Sequence, residues 1–350
     1  MKTEFLKIDP ISPNEADIKH CADIILQGGL VAMPTETVYG LGADATDAEA
    51  AKKIYAAKGR PSDNPLIIHI AKPSDAEKYA HTGELYYRLA AAFMPGPLTI
   101  ILPKRDTIPS DVTGGLDSVA VRCPAHPVAR ALISAAGVPI AAPSANLSGS
   151  PSPTTADHVK KDMDGRIDAI IDGGECDIGL ESTIIKLDGS KAILLRPGAI
   201  TADALRCVCE SVEIAAAVTE TLGENERPLS PGMKYKHYAP SSPLVLLDGE
   251  KEDVFEFLKV AAKKENCVIL CYSEEFDGLR GARLIDVGAE DDLQTQSHRL
   301  FGALREADGM GADIIYAHLP TTSGLGLALY NRMIRAAAHT VKRISTTSTR

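Results

Sequence analysis

Four cations, Lys58, Arg60, Arg122 and Arg196, stand in or beside segments rich in Ser, Thr, Asn and Gly. These segments read PTETVYGLG at residues 34–42, KGRPSDNPLIIH at 58–69, VRCP at 121–124, APSANLSGSPSPT at 142–154 and IGLESTI at 178–184. Guanidinium and ammonium groups next to hydroxyls, amides and closely approachable backbone N–H groups suit phosphate and carboxylate oxygens. The chemistry indicated is recognition of an anionic ligand. A carboxylate pair for acid–base work can be drawn from Glu36 and Glu181, although both lie among hydroxyls and could equally orient side chains or a metal-bound water.

Each segment taken alone has an ordinary structural use. Thr35 and Thr37 could satisfy strand-end backbone groups, and Gly40 and Gly42 could be turn glycines. Lys58 and Arg60 follow a helix C-terminus, where the macrodipole favours cations without any ligand. His69 sits inside an apolar run, as a hydrogen-bonded core histidine would, and Thr154 or Thr155 could cap a helix. Turns do not require several cations and small hydroxyls at the ends of successive strands, so the combination points to one shared cleft.

The elements that must position these groups follow from periodicity. GLVAMPT, PLIIHIA, LTIILP, SVAVRCP, VPIAAPS, DAIIDGG and ESTIIKL are apolar, β-branched runs that read as strands, several buried on both faces. Between some of them ADIKHCADIILQ, DAEAAKKIYAAKG, ELYYRLAAAFM, HPVARALISAAG and TTADHVKKDM read as helices, the second opened by Thr46-Asp47 and closed by Gly59. The pattern is α/β with a mixed sheet over residues 1–222. Residues 223–242, with Pro228, Pro231 and Pro240, lack sustained periodicity and read as a linker. Beyond them PLVLLDG, NCVILCY, ARLIDVG and DIIYAHL alternate with helical stretches to form a smaller Rossmann-like α/β domain over 243–345, with a tail at 346–350. The last helical stretch is expected to run through LALYNRMIRAAAHTVK. In open α/β sheets ligands gather where loops converge at strand ends, and five polar loops of the first domain meet that description.

Bulk composition narrows the function classes. A chain of 350 residues, 45% hydrophobic, is long enough for two cores. With Lys plus Arg at 37 against 47 Asp plus Glu, the net charge of -10 argues against a surface built to coat nucleic acid. No apolar run reaches the length of a membrane span and the first residues do not resemble a signal peptide, so a cytoplasmic protein is expected. The seven cysteines show no paired CxxC zinc pattern and read as buried thiols. GxxxxGK[ST], GxSxG and HExxH are absent, as is GxGxxG from the first domain; a triad of Ser182, His69 and Asp172 can be drawn, but no spacing supports it.

The segments together resemble the YrdC-like family of threonylcarbamoyl-AMP synthases. The resemblance rests on PTETVYGLG, KGRPSDNPLIIH, MPGPLT at 94–99, VRCP, APSANLSG and GLESTI, and above all on KxR followed at a distance by SxN. SPGMKYKHYAP and GLGLALYNRMIRAA extend it to the longer, two-domain members. It implies condensation of L-threonine, bicarbonate and ATP to threonylcarbamoyl-AMP and pyrophosphate, with Mg2+ accompanying ATP and no tightly held organic cofactor. The product would pass to the downstream tRNA threonylcarbamoyl transferase machinery, with direct tRNA binding left open and no membrane involved. In this chemistry the threonine amine becomes a carbamate that attacks the ATP α-phosphate, so no enzyme nucleophile is needed.

By the same resemblance Arg122 would clamp the threonine carboxylate, with Thr37, His69, Ser182 and the backbone near Ala142 completing its pocket. Lys58, Arg60 and Asn64 would face the triphosphate, the first two as catalytic cations. Ser144 and Asn146 would lie close by, and Ser118, Ser152 and Arg196 around the nucleotide. In the linker, Lys234, Tyr235, His237 and Tyr238 form a basic-aromatic patch; Tyr235 and Tyr238 would lie across ATP as part of a lid, or else pack as an ordinary linker. No residue is assigned to a metal. Two alternatives remain: a non-enzymatic module binding structured RNA, and a hydrogenase-maturation type of carbamoyl-adenylate enzyme, whose acylphosphatase and zinc-finger regions this chain lacks.

Overall fold

The computed structural model describes residues 2–220 and 238–345. Backbone contacts group them into two compact units: one holds residues 2–148 and 152–220, the other holds Gly149–Pro151 and residues 238–345. The expected linker at 223–242 falls largely outside the described residues, as does the tail at 346–350.

The first unit is built on a mixed sheet of eleven strands. In chain order they are β1 (Glu4–Lys7), β2 (Val31–Met33), β3 (Gly40–Asp44), β4 (Ile67–His69), β5 (Leu98–Pro103), β6 (Ser118–Arg122), β7 (Ile140–Ala141), β8 (Ala169–Asp172), β9 (Thr183–Asp188), β10 (Lys191–Arg196) and β11 (Ser211–Ile214). Their spatial order is β1-β8-β2-β3-β7-β4-β6-β5-β9-β10-β11. All seven strands expected from apolar runs form. β1, β10 and β11 carry too much charge or are too short to stand out by periodicity.

The fourth unexpected strand, β3, is the second half of PTETVYGLG. It pairs antiparallel with β2 (Met33↔Gly40) and with β7 (Ala43↔Ala141). Its glycines are therefore strand glycines in the middle of the sheet, not turn residues. A Cβ at Gly42 would come within 2.8 Å of Ile140 Cγ2 and 3.1 Å of Val31 O. Only a residue without one lets these backbones close up.

Helix Ala48–Lys58 follows its local signals: the Asp47 side chain accepts from Glu49 N, and Gly59, at φ 61°, ends the helix in the left-handed conformation. That cap sets Lys58 and Arg60 at the start of the loop leading into β4. Helices Glu15–Leu26 and Pro127–Ala136 bury Ile18, Ile25, Val128 and Leu132 against Val31, Met33 and Ile171 of the sheet. This rigid core holds the loops at the ends of β2, β6 and β8.

The second unit carries a wholly parallel sheet: β12 (Leu244–Asp248), β13 (Cys267–Cys271), β14 (Arg283–Asp286), β15 (Ile314–His318) and β16 (Val341–Arg343), in the order β14-β13-β15-β12-β16. It is the open α/β unit expected. Its last helix ends at Ala336, earlier than the apolar pattern predicts, because Ala338 and His339 turn left-handed and Val341–Arg343 joins the sheet beside β12. Six of the seven cysteines are buried, whereas Cys207 is exposed, which corrects the uniform reading as buried thiols.

Candidate functional site

Strand register brings the first group of candidate residues together. His69 of β4 stands opposite Arg122 of β6, and Arg122 stands opposite Thr99 of β5. Directly opposed residues project from the same face of a sheet. The row continues to Ser182, which precedes β9 and whose Oγ lies 2.7 Å from Thr99 Oγ1. It ends at Arg196, whose Nε donates to Ser182 O at 3.0 Å and whose Nη2 donates to Ser182 Oγ at 3.1 Å. A register shift between Leu194 and Arg196 aims that arginine. Within MPGPLT nothing marks Thr99 as a site residue; the antiparallel pairing of β5 with β6 reveals it.

The row is buried. Arg122 is 4% exposed and His69 3%, and Thr99 and Ser182 are inaccessible. His69 Nδ1 lies 3.2 Å from Ile67 O and 3.3 Å from Ile140 O. Carbonyls only accept, so Nδ1 carries the proton and Nε2 keeps its lone pair. Burial, followed by the nearby Arg122 charge, lowers the His69 pKa from 6.5 to about 3, so the ring is neutral at physiological pH. The backbone contacts also set aside a triad with Ser182 and Asp172, since Nδ1 has no carboxylate partner.

Arg122 is tied to Glu36 across 86 residues of chain: Nη2 donates to Oε1 at 2.7 Å. Glu36 reaches it from the loop before β3, which Thr35 shapes by accepting from Thr37 N and Val38 N and donating to Val38 O at 2.6 Å. Thr37 Oγ1 lies 2.8 Å from Thr35 Oγ1 and is fully buried. Glu181 takes a hydrogen bond from Ser152 Oγ at 2.5 Å. The two carboxylates considered for acid–base work thus have different partners.

A second group of candidates surrounds the start of the same strands. Lys58 is buried, and its Nζ donates to Ser144 O and Asn146 O at 2.5 Å each, so in this structure it ties the SxN loop to the helix end. Ser144 Oγ donates to Asn146 Oδ1 at 2.5 Å. The half-buried Arg60 reaches Asn64 O and Pro65 O. Asn64 Oδ1 is buried with no hydrogen-bond partner. Ala142 N donates to Ile67 O at 2.9 Å, which lays the segment from 142 to 146 along β4. Ser118 begins β6 and lies about 13 Å from Arg122 at the strand's far end. The candidates thus run along β4 and β6 from one end to the other, because the motifs flank both ends of each strand.

Tyr235 lies outside the described residues. Tyr238 is placed in the second unit, 5% exposed, its ring 5.3 Å from that of Phe301 and 6.0 Å from the Arg332 guanidinium carbon.

Known proteins resemble the chain over nearly its whole length. A family model for Sua5, YciO and YrdC proteins, described as "Telomere recombination", matches residues 23–198, and the model "Threonylcarbamoyl-AMP synthase, C-terminal domain" matches residues 200–338. The threonylcarbamoyl-AMP synthase of Bacillus subtilis is 44% identical over 349 residues, covering 98% of this chain and 100% of the relative. That of Pyrococcus abyssi is 44% identical over 337 residues, covering 94% and 96%. The crystal structure of P. abyssi Sua5 complexed with L-threonine superimposes with a TM-score of 0.91 at 41% identity, covering 98% of this chain and 100% of that one. The chain belongs to the threonylcarbamoyl-AMP synthase family, in its two-domain form.

Proposed function

We propose that this member of the family condenses L-threonine, bicarbonate and ATP to threonylcarbamoyl-AMP and pyrophosphate, supplying the intermediate for threonylcarbamoyladenosine in tRNA. The observation that carries the reading is the buried Arg122, whose Nε has no partner, set in one row with a neutral imidazole and the Ser182 and Thr99 hydroxyls. Such a row offers a fork for a carboxylate and acceptors for a hydroxyl, the two groups that distinguish threonine from an unsubstituted amine.

In this mechanism Arg122 holds the threonine carboxylate, and His69 Nε2 and Ser182 face its hydroxyl, with Thr37 and the backbone at Ala142 closing the pocket. A site built around that hydroxyl rejects amino acids without it, because its buried polar groups would be left unpaired. Arg60 and Asn64 meet the phosphates, and Lys58 does so by exchanging its carbonyl partners on the SxN loop for phosphate oxygens. Ser118, Ser144, Asn146, Ser152 and Arg196 line the path of the nucleotide. The chain's contribution is to hold two anions in line for attack and to neutralise their charge.

Magnesium accompanies ATP in this reaction class, where it offsets phosphate charge. Among the described residues no group of three His, Cys, Asp or Glu is placed to hold a metal ion. No residue is assigned to this ion. Among the described residues no helix is long and apolar enough to cross a membrane. Delivery of the product to a tRNA-modifying transferase follows from its chemistry, since a mixed carbamic–phosphoric anhydride is an acyl donor.

The test is pyrophosphate release from ATP, with mass detection of the adenylate, in reactions omitting threonine or bicarbonate in turn and replacing threonine with serine. Product requiring both and favouring threonine is the expected outcome. ATP turnover indifferent to either co-substrate would remove the reading.

A further inference from the structure

Three buried side-chain atoms without a hydrogen-bond partner belong to neighbouring residues: Glu36 Oε2, Arg122 Nε and His126 Nδ1. Buried polar atoms are nearly always paired, and each one left open costs about 1–3 kcal/mol. The Glu36–Arg122 pair itself is made by a single contact, Nη2 to Oε1 at 2.7 Å, although both groups are forks able to meet at two points. A pair serving stability alone would be expected to use both prongs. What this one leaves open is one cationic donor and one anionic acceptor, a few ångströms apart, in a site closed to bulk water. The ligand that completes both is a zwitterion, a free α-amino acid.

We propose that Glu36 is the ammonium-binding residue of this site and the acceptor of the proton that the amine must lose before it can react. This inference rests on the threonine-dependent reading above. The substrate carboxylate takes Nε and Nη2 of Arg122 and displaces Glu36 from the latter. The freed carboxylate then receives the substrate ammonium. One N–H bond breaks: R–NH3+ and Glu36–COO− become R–NH2 and Glu36–COOH, and the nitrogen keeps its electron pair. The neutral amine and bicarbonate give the carbamate R–NH–COO− and water. Glu36 returns its proton to solvent when product leaves and re-forms its contact with Arg122. In the free enzyme Glu36 thus stands in for the substrate carboxylate on Arg122.

The groups facing Glu36 hold a constant charge where the amine titrates. Burial lowers the His126 pKa below 6.5, raises the Cys123 thiol to about 11 and raises the Cys176 thiol further, so all three are neutral. Asp177 lies close enough to act on His126 and Cys176. Between about pH 7 and pH 9 the pH profile therefore reports the substrate ammonium.

Glu36→Gln, Glu36→Asp and the wild type should be compared for threonine binding by calorimetry and for pyrophosphate release from about pH 7 to pH 9.5. Glu36→Gln should still bind threonine through Arg122, with turnover lowered about 100-fold or more at pH 7. The deficit should shrink by about tenfold per pH unit, as hydroxide takes over deprotonation, until the free amine predominates. Glu36→Asp should keep threonine affinity within about tenfold while kcat falls, and it decides the matter if the glutamine variant does not fold. A deficit constant across pH, no deficit, or an aspartate variant that loses affinity with kcat unchanged would overturn the inference. Loss of threonine dependence in the wild type would instead overturn the reading on which it rests.

Discussion

The two units each bury one glutamate beside a basic side chain near a strand end, and the two pairs are satisfied to opposite degrees. In the second unit Glu275 sets both carboxylate oxygens within 2.9 and 3.0 Å of His318 Nε2, and Oε2 also accepts from Tyr272 N at 3.0 Å. The His318 ring stacks on Tyr272 with centroids 4.5 Å apart. Neither Glu275 nor His318 has a buried atom left open. In the first unit Glu36 and Arg122 share one contact and leave one atom open on each side. The difference separates a glutamate with both oxygens paired from one that leaves an oxygen open. Burial and charge alone would have ranked them together.

The largest effect that could break this contrast is expected from Arg122→Ala. It removes the carboxylate fork and leaves Glu36 buried without its cation, a change that costs about 3–5 kcal/mol where buried pairs are split. Threonine affinity measured by calorimetry should fall more than about 100-fold while ATP still binds. Equal loss of both ligands would mean that Arg122 organises the whole unit and is not a threonine clamp.

Glu275→Gln tests the other side of the contrast. It should lower stability by about 1.5–3 kcal/mol in thermal or denaturant melts, the range for a hydrogen bond to a charged group. Threonine-dependent turnover per folded molecule should be unchanged; a turnover defect exceeding the folding defect would give the second unit a share in the chemistry.

Smaller changes sharpen the account of the row. Thr99→Val removes the hydroxyl that Ser182 shares and should cost about 1 kcal/mol of threonine binding, roughly fivefold in Kd, with pyrophosphate release otherwise intact. His69 provides a pH signature. Its folded pKa of about 3 lies below the ordinary 6.5, so the unfolded chain takes up the proton first. Stability is full above about pH 6.5 and is lost as pH falls toward about 3, by at most about 1.4 kcal/mol per pH unit for this one proton. Denaturant melts of His69→Gln against the wild type should show that slope reduced, with His126 contributing in the same direction.

Much of the first domain is legible along the chain, and the reasons can be given residue by residue. Asp47 and Gly59 mark a helix because capping is local, and LTIILP becomes β5 at the residues expected because a central strand is apolar on both faces. YGLG reads as a turn because glycine signals loops more often than strands; it becomes β3 because Ile140 and Val31 leave no room for a Cβ. KAILLR does not stand out because a cation at each end leaves only a short apolar core, and it becomes β10 by pairing antiparallel with β9. In the second unit the helical pattern runs past Ala336 because the chain that turns away still carries apolar residues.

By itself the sequence determined the α/β class, the division into two units and the family. All of these rest on residue types and spacings within a few turns or strands. The tertiary structure alone decided that His69, Arg122, Thr99, Ser182 and Arg196 share one row, that Lys58 is held by carbonyls 86 and 88 residues away, and that Glu36 occupies one prong of Arg122 and leaves the other open. The physical reason is that which polar atoms meet across a sheet is set by strand order and register, and these are fixed by the burial of residues far apart in the chain, which local periodicity does not encode.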